Sequence, residues 1–173
     1  MNNNFFTLRP WQMSDLDSLV KYADNPAIAR NLTDAFPSPY TREDGKKYLE
    51  MVCSQSPATI FAIDIDGEAV GSIGVFPQND IHRLNAEMGY WLAEPFWGNG
   101  IMPEAIKQII EYAFKTLGIG RVYARPFGRN QVSQRVLEKA GFQLEASFEK
   151  VLLKNGVLED ELIYGFRKGH NAD

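Results

Sequence analysis

Two dipeptides do most to limit what this chain can become. Asp66-Gly67 lies between the apolar runs 59–65 and 69–76, and Asn155-Gly156 turns the chain between 142–153 and 157–166. Such pairs supply the positive φ angles that two-residue hairpin turns require, so each predicts two strands paired antiparallel. A further strand is expected at Ala86-Glu87-Met88-Gly89-Tyr90-Trp91-Leu92, another at 121–125, and a short one at 5–9 stopped by Pro10. Helical spacing of Leu16, Leu19, Val20 and Ala23 comes after Ser14-Asp15, and Asn25-Pro26 ends that helix. Thr41-Arg42-Glu43-Asp44 gives a capping pattern for a second helix running to about Ser54, after a proline-rich stretch, Phe36 to Tyr40, unfit for regular structure. A long helix is expected from Pro103 to about Leu117, with Ala105, Ile109, Ile110, Ala113, Phe114 and Leu117 on one stripe. Asn130 caps a last helix ending at Ala140-Gly141. The order β-α-α-β-β-β-α-β-α-β-β implies a mixed sheet with helices on its faces.

A chain of 173 residues with 45% hydrophobic content holds one core, so a single domain over 1–173 is expected, with no need of a disulfide or metal staple. Eighteen Lys and Arg against 22 Asp and Glu give a net charge of −4, which lacks the basic excess of a nucleic-acid binder. One cysteine, Cys53, and two histidines cannot complete a zinc cluster, so no metal site is expected. No apolar run reaches membrane-spanning length, and Met1-Asn2-Asn3-Asn4 lacks the features of a signal peptide. A soluble cytoplasmic protein is the expectation, as monomer or homodimer, with Trp11 among the aromatic residues available for a dimer contact.

The most informative stretch is Trp97-Gly98-Asn99-Gly100-Ile101-Met102-Pro103-Glu104, where a strand turns through two glycines into a helix. Pro103 suits a first helical position, and Met102 before it has no oxygen to accept from the amides that every helix start leaves free. Close-approaching glycines and uncapped amides at the positive end of a helix make a site for an anion such as a pyrophosphate. A water molecule or a turn carbonyl serves the same amides, so spacing alone leaves both readings open. Neither better-known phosphate signature fits: four residues after Gly98 stands Met102 with no Lys-Ser/Thr next to it, and the acid that a dinucleotide fold needs about 20 residues on is replaced by Arg121 and Arg125.

The chain resembles the GNAT superfamily of N-acetyltransferases, in the branch that includes the ribosomal-protein N-terminal acetyltransferases. Leu8-Arg9-Pro10, Asp15 and Asn25-Pro26 look like that branch's opening, and residues 86–92 like its fourth strand. Residues 97–105 are similar to its acyl-CoA pyrophosphate loop. Asn130-x-x-Ser133-x-x-Val136-Leu137-Glu138-Lys139-x-Gly141-Phe142 resembles its second cofactor motif, and Gly156-x-x-x-Asp160 its last hairpin. Trp97 and Pro103 stand where the wider superfamily often has Gln or Arg and Thr; the loop works through its backbone, so binding is unaffected.

The resemblance implies a mixed, mostly antiparallel twisted sheet of GNAT type with helices on both faces, and transfer of acetyl from acetyl-CoA to an amine by direct attack in a ternary complex. Cofactor contacts are expected from Tyr90, Trp91, Leu92, Trp97, Gly98, Asn99, Gly100, Ile101, Met102, Asn130 and Ser133. An alkylammonium of pKa about 10 must lose a proton before it attacks, the oxyanion needs a donor, and the departing thiolate gains from another. Glu87 is the candidate base, directly or through water; a structural acid pairing with an arginine or a backbone amide is the other reading. A main-chain amide near Tyr90 to Leu92 is the implied oxyanion donor. Ser133 is the candidate thiolate donor, since Leu137 stands where many members carry a tyrosine; a serine bonded back to its helix carbonyl is the alternative. The branch's own proposed base falls on Leu152 and is not carried over. Asn130 is first a helix cap, to which the resemblance adds a pantetheine contact.

Several other residues read as ordinary. His82 falls in a loop and His170 in a polar tail; Cys53 reads as a plain thiol, because direct transfer needs no acyl-enzyme. Arg129, Arg135 and Lys139 are cations that either face solvent or meet phosphates. The run Glu159-Asp160-Glu161 reads as a solvated face, placed by the resemblance where it attracts a cationic amine. The acceptor is a small-molecule amine or a protein or peptide N-terminus. A non-catalytic acyl-CoA sensor or interaction module on the same scaffold is the alternative function.

Overall fold

The computed structural model describes residues 5–169. Met1 to Asn4 and His170 lie outside them. Seven strands form one mixed sheet: β1 Thr7–Pro10, β2 Ile60–Ile65, β3 Glu68–Pro77, β4 Asn85–Leu92, β5 Arg121–Ala124, β6 Gln143–Lys154 and β7 Val157–Arg167, in the order β1-β2-β3-β4-β5-β7-β6. The pairing of β4 with β5 is parallel, whereas β1–β2, β2–β3, β5–β7 and β6–β7 are antiparallel. Helices are α1 Leu16–Ala23, α2 Pro26–Ala29, α3 Arg42–Cys53, α4 Ile101–Thr116 and α5 Gln131–Lys139. The mixed, mostly antiparallel sheet with helices is the one expected.

Both predicted hairpins form, with positive φ at Asp66, Gly67, Asn155 and Gly156. The predicted caps also form. The Thr41 side chain accepts from the Asp44 amide while the Asp44 carboxylate accepts from the Thr41 amide, and Asn130 accepts from the Ser133 amide. Three differences have local causes. Asn25 caps the extra helix α2 by accepting from the Ala27 amide, with Pro26 at its start, so a pair read as a stop is also a beginning. The strand at the N-terminus keeps Pro10, which pairs opposite Phe61. Helix α4 begins at Ile101 rather than Pro103.

The chain divides into two compact units, one built from residues up to Gly74 with Tyr90–Ile101, the other from Val75–Gly89 and the residues from Met102 on. The first has a core of Trp11, Leu19, Ala23, Ile28, Tyr40, Leu49, Val52, Ile60, Ala62, Ala69 and Trp91. Trp11 is only 4% exposed and stacks edge-on against Tyr48, so it is not the surface aromatic that the sequence suggested. The second unit buries Ala105, Ile106, Ile109, Ile110 and Ala113 of α4, together with Val122, Ala124, Leu137 and Phe142. Phe166 joins that unit through ring contacts to Phe114 and Phe142. Leu144, Phe148, Val151, Leu153, Val157 and Leu158, all in the β6–β7 hairpin, are exposed. Among the described residues no helix is long and apolar enough to cross a membrane, and no His/Cys/Asp/Glu group could hold a metal ion.

Candidate functional site

In the first unit the end of β4 leads through a tight turn, Glu94–Phe96, into Trp97-Gly98-Asn99-Gly100 and the start of α4. Gly98 and Gly100 have φ of 80° and 74°, the left-handed region that costs a side-chain-bearing residue about 1–2 kcal/mol. No atom lies within 4 Å of where a Cβ would stand at either, so conformation and not crowding demands the glycines. Because α4 starts at Ile101, the cap position falls on Gly100 instead of Met102. Gly100 likewise has no side-chain oxygen to offer, so the residue at the cap position still supplies no side-chain cap. Met102 becomes a buried second helical residue, and Pro103 the third, where its missing N–H is still one of the four that lack a partner. Trp97 Nε1 donates to the Leu92 carbonyl at 2.7 Å, and Asn99 Nδ2 donates to the Phe96 carbonyl at 3.2 Å. These two side chains fasten the exposed loop to the strand end and to the turn that follows it. Gly100→Ala is therefore expected to fold with its melting lowered by a few degrees, which thermal unfolding reads.

On the same strand, Trp91 and Leu92 are buried, Trp91 with its ring 6.1 Å from that of Phe36. Their side chains belong to the core, and what they offer a ligand is main chain. Tyr90 beside them is half-buried.

In the second unit β4 pairs β5 from Asn85↔Arg121 to Glu87↔Tyr123, while β4 itself runs on to Leu92. Glu87 stands at the end of that pairing. Tyr123 hydrogen-bonds to it; burial first, then the Glu87 charge, pushes the Tyr123 phenol above its ordinary value. Arg125 Nη1 lies 3.8 Å from Glu87 Oε2, and the same guanidinium donates from Nε to Glu161 Oε1 at 2.9 Å. Glu87 thus has an arginine neighbour, as the structural reading requires, and remains about one-third exposed, as a base requires. Tyr123 and Arg125 were not legible as neighbours of Glu87, because the register of a parallel pair leaves no local mark, and Glu161 was legible only as part of the acidic run.

Asn130 and Ser133 come together on the first turn of α5, the Asn130 Oδ1 accepting from the Ser133 amide at 3.2 Å. The acidic run is a solvated face only at Asp160, which is exposed. Glu161 is buried against Arg125, Glu159 pairs with Arg129 Nε at 2.5 Å, and Asp160 accepts from the Lys150 amide at 2.8 Å. His82 lies in an exposed turn. Cys53 donates to the Trp11 carbonyl at 3.2 Å, and burial pushes its thiol up, away from the thiolate a nucleophile needs.

A mixed sheet whose fourth strand opens through left-handed glycines into a helix start offers main-chain amides to an anion, and comparison with known proteins places the chain. The family profile described as Acetyltransferase (GNAT) domain matches residues 6–143. The chain belongs to the GNAT acetyltransferase family. The Bacillus subtilis (strain 168) protein named uncharacterized N-acetyltransferase YoaA is 36% identical over 101 residues, which span 58% of this chain and 56% of that protein. The acetyltransferase MccE of microcin C7 self-immunity, solved in complex with acetyl-CoA and AMP, superposes with a TM-score of 0.81 at 25% identity, covering 96% of this chain and 94% of that one. The ribosomal-protein-S5-alanine acetyltransferase of Vibrio fischeri shares the fold, with a TM-score of 0.83 at 23% identity over 98% and 97% of the two chains.

Proposed function

We propose that this chain is one N-acetyltransferase domain that moves the acetyl group of acetyl-CoA to a primary amine, in a small molecule or at a protein or peptide N-terminus, by direct attack in a ternary complex. The observation that carries the reading is the 97–101 loop. Its left-handed glycines look into open space, the cap position of the helix behind it is a glycine, and side-chain hydrogen bonds from Trp97 to the end of β4 and from Asn99 to the turn after it hold it in place. Main-chain amides of that loop and of the first α4 turn suit a diphosphate, whose charge also gains from the helix dipole. Tyr90, Trp91 and Leu92, through their main chain, and Asn130, through its side-chain amide, are the further groups assigned to the cofactor.

Acetyl-CoA supplies an activated acyl group on a thioester. Glu87 accepts the proton of the attacking amine, directly or through one water, as the N–C bond forms. A main-chain amide of the Tyr90–Leu92 segment donates to the oxyanion. Ser133 donates a proton to the sulfur as the C–S bond breaks and regains one from solvent, to which Glu87 releases the proton it took. No residue forms a covalent intermediate.

The test is a calorimetric titration with CoA, then acetyl-CoA consumption over a panel of polyamines, amino acids and peptide N-termini. Binding together with turnover on one class of acceptor supports the proposal. Tight binding without turnover on any acceptor supports the acyl-CoA sensor instead, and absence of binding by folded protein removes both.

A further inference from the structure

The connection between β5 and α5 is held to β7 far more firmly than a link of six residues needs for its own sake. Arg125 donates from Nε to Glu161 Oε1 at 2.9 Å, with Nη2 2.8 Å from the same oxygen, and Arg129 donates from Nε to Glu159 Oε1 at 2.5 Å. The two carboxylates sit two residues apart on β7, and their side chains are only 11% and 14% exposed. Between the arginines the main chain runs beside β7 like an added strand. The Gly128 amide donates to the Asp160 carbonyl at 2.8 Å, the Leu162 amide donates to the Pro126 carbonyl at 3.1 Å, and Phe127 bridges to Glu161. Gly128 is the point of closest approach, since a Cβ there would lie 2.8 Å from that of Asp160. The Arg129 guanidinium also lies over the Phe127 ring, 5.2 Å from its centre.

Immediately after this clamp stands Asn130, whose Oδ1 holds the Ser133 amide and fixes the first turn of α5. A buried carboxylate is retained where its partner's position matters, because desolvating it costs more than an exposed ion pair returns. An ordinary loop-to-strand contact is satisfied by backbone hydrogen bonds alone. Here two of the three acids of the run are committed to the two arginines that flank the link.

We propose that Glu159 and Glu161, acting through Arg129 and Arg125, are positioning residues that set where Asn130 and Ser133 meet the acyl-CoA arm. The inference rests on the cofactor roles proposed for those two residues. It also turns the acidic run from an attractant for a cationic amine into a device that acts on the other substrate. Loosening either clamp moves the start of α5 and weakens acetyl-CoA binding, while the affinity for the amine stays as it was.

The experiment compares Glu159→Gln, Arg129→Ala and Gly128→Ala with wild type in steady-state kinetics, reading KM for acetyl-CoA and KM for the amine separately, with CoA calorimetry and thermal unfolding alongside. Glu145→Gln is the control. It removes a carboxylate of β6 that pairs with Arg121 of β5 and Arg167 of β7 and takes no part in the two ion pairs of the link. The expected result is a rise of about tenfold in KM for acetyl-CoA in the three clamp variants, in line with residues that orient a ligand-contacting group, with little change in KM for the amine. Glu145→Gln lowers the melting temperature and leaves both KM values in place. Unchanged KM for acetyl-CoA in the clamp variants, or an equal rise in the control, overturns the proposal. Should wild type itself bind no CoA, the functional reading fails and the clamp falls with it, an outcome told apart by the wild-type titration alone. If Gly128→Ala does not fold, the two charge variants decide.

Discussion

Glu87→Gln is expected to lower kcat by about 100- to 1000-fold, the range a positioned general base contributes, with KM for acetyl-CoA within about twofold of wild type. Glutamine keeps the shape of glutamate and still accepts from the Tyr123 hydroxyl, so the end of the β4–β5 pairing stays intact. It lacks only the capacity to hold the amine's proton. The side chain is about one-third exposed and lies 3.8 Å from Arg125, so the loss of charge is not a large structural event. Steady-state kinetics at saturating acetyl-CoA, with CoA calorimetry on the same preparation, provides the measurement. Retention of wild-type kcat would assign Glu87 to pairing with Arg125 and leave deprotonation to solvent.

Arg9→Ala is expected to cost about 3–5 kcal/mol of stability, because it strands two buried carboxylates at once. Arg9 Nη1 and Nη2 donate to the two oxygens of Asp15, each at 2.8 Å, and Nε donates to Asp64 Oδ2 at 2.8 Å. The side chains of Asp15 and Asp64 are 7% and 11% exposed. Hydrogen bonding to Asp15 is the largest influence on Arg9, ahead of its own partial burial, and holds the guanidinium well above its usual range. The three groups also organise their surroundings: Asp15 accepts from the Gln12 amide and Asp64 from the Gly67 amide in the first hairpin. In a protein of this length such a loss lowers the melting temperature by roughly 10 °C or more. Arg9→Lys recovers part of the loss, since an ammonium keeps the charge but cannot match the fork of contacts. Urea unfolding of the two variants reads the difference. A cost under about 1 kcal/mol for Arg9→Ala, the range of an exposed ion pair, would mean that water reaches both carboxylates freely.

The features legible in sequence were those with a local cause. Asp66-Gly67 and Asn155-Gly156 need positive φ, Thr41 and Asp44 cap each other within one turn, and Asn130 finds its amide three residues on. The first boundary of α4 was misplaced because Pro103 fits any position of a first turn, while the left-handed Gly100 that ends the loop is indifferent to the residue after it. Trp11 and Glu161 were misread for the opposite reason. An aromatic beside a strand end and an acid in an acidic run look like surface residues, and only tertiary packing puts one under Tyr48 and the other under Arg125. Of the site, the loop and the Asn130–Ser133 turn were visible as motifs. Tyr123 and Arg125 were not, since their approach to Glu87 depends on how two strands distant in sequence are aligned.

The outermost strands of the sheet differ in a way that bears on the molecule's company in solution. Pro10 on β1 has no N–H to offer a visiting strand, which discourages extension of the sheet on that side. The opposite border, β6, is three times as long and presents Leu144, Phe148, Val151 and Leu153 to solvent with no proline among them. Of the two borders β6 is protected by its bulges and charged residues and not by a proline, so substitutions meant to raise solubility belong on that hairpin.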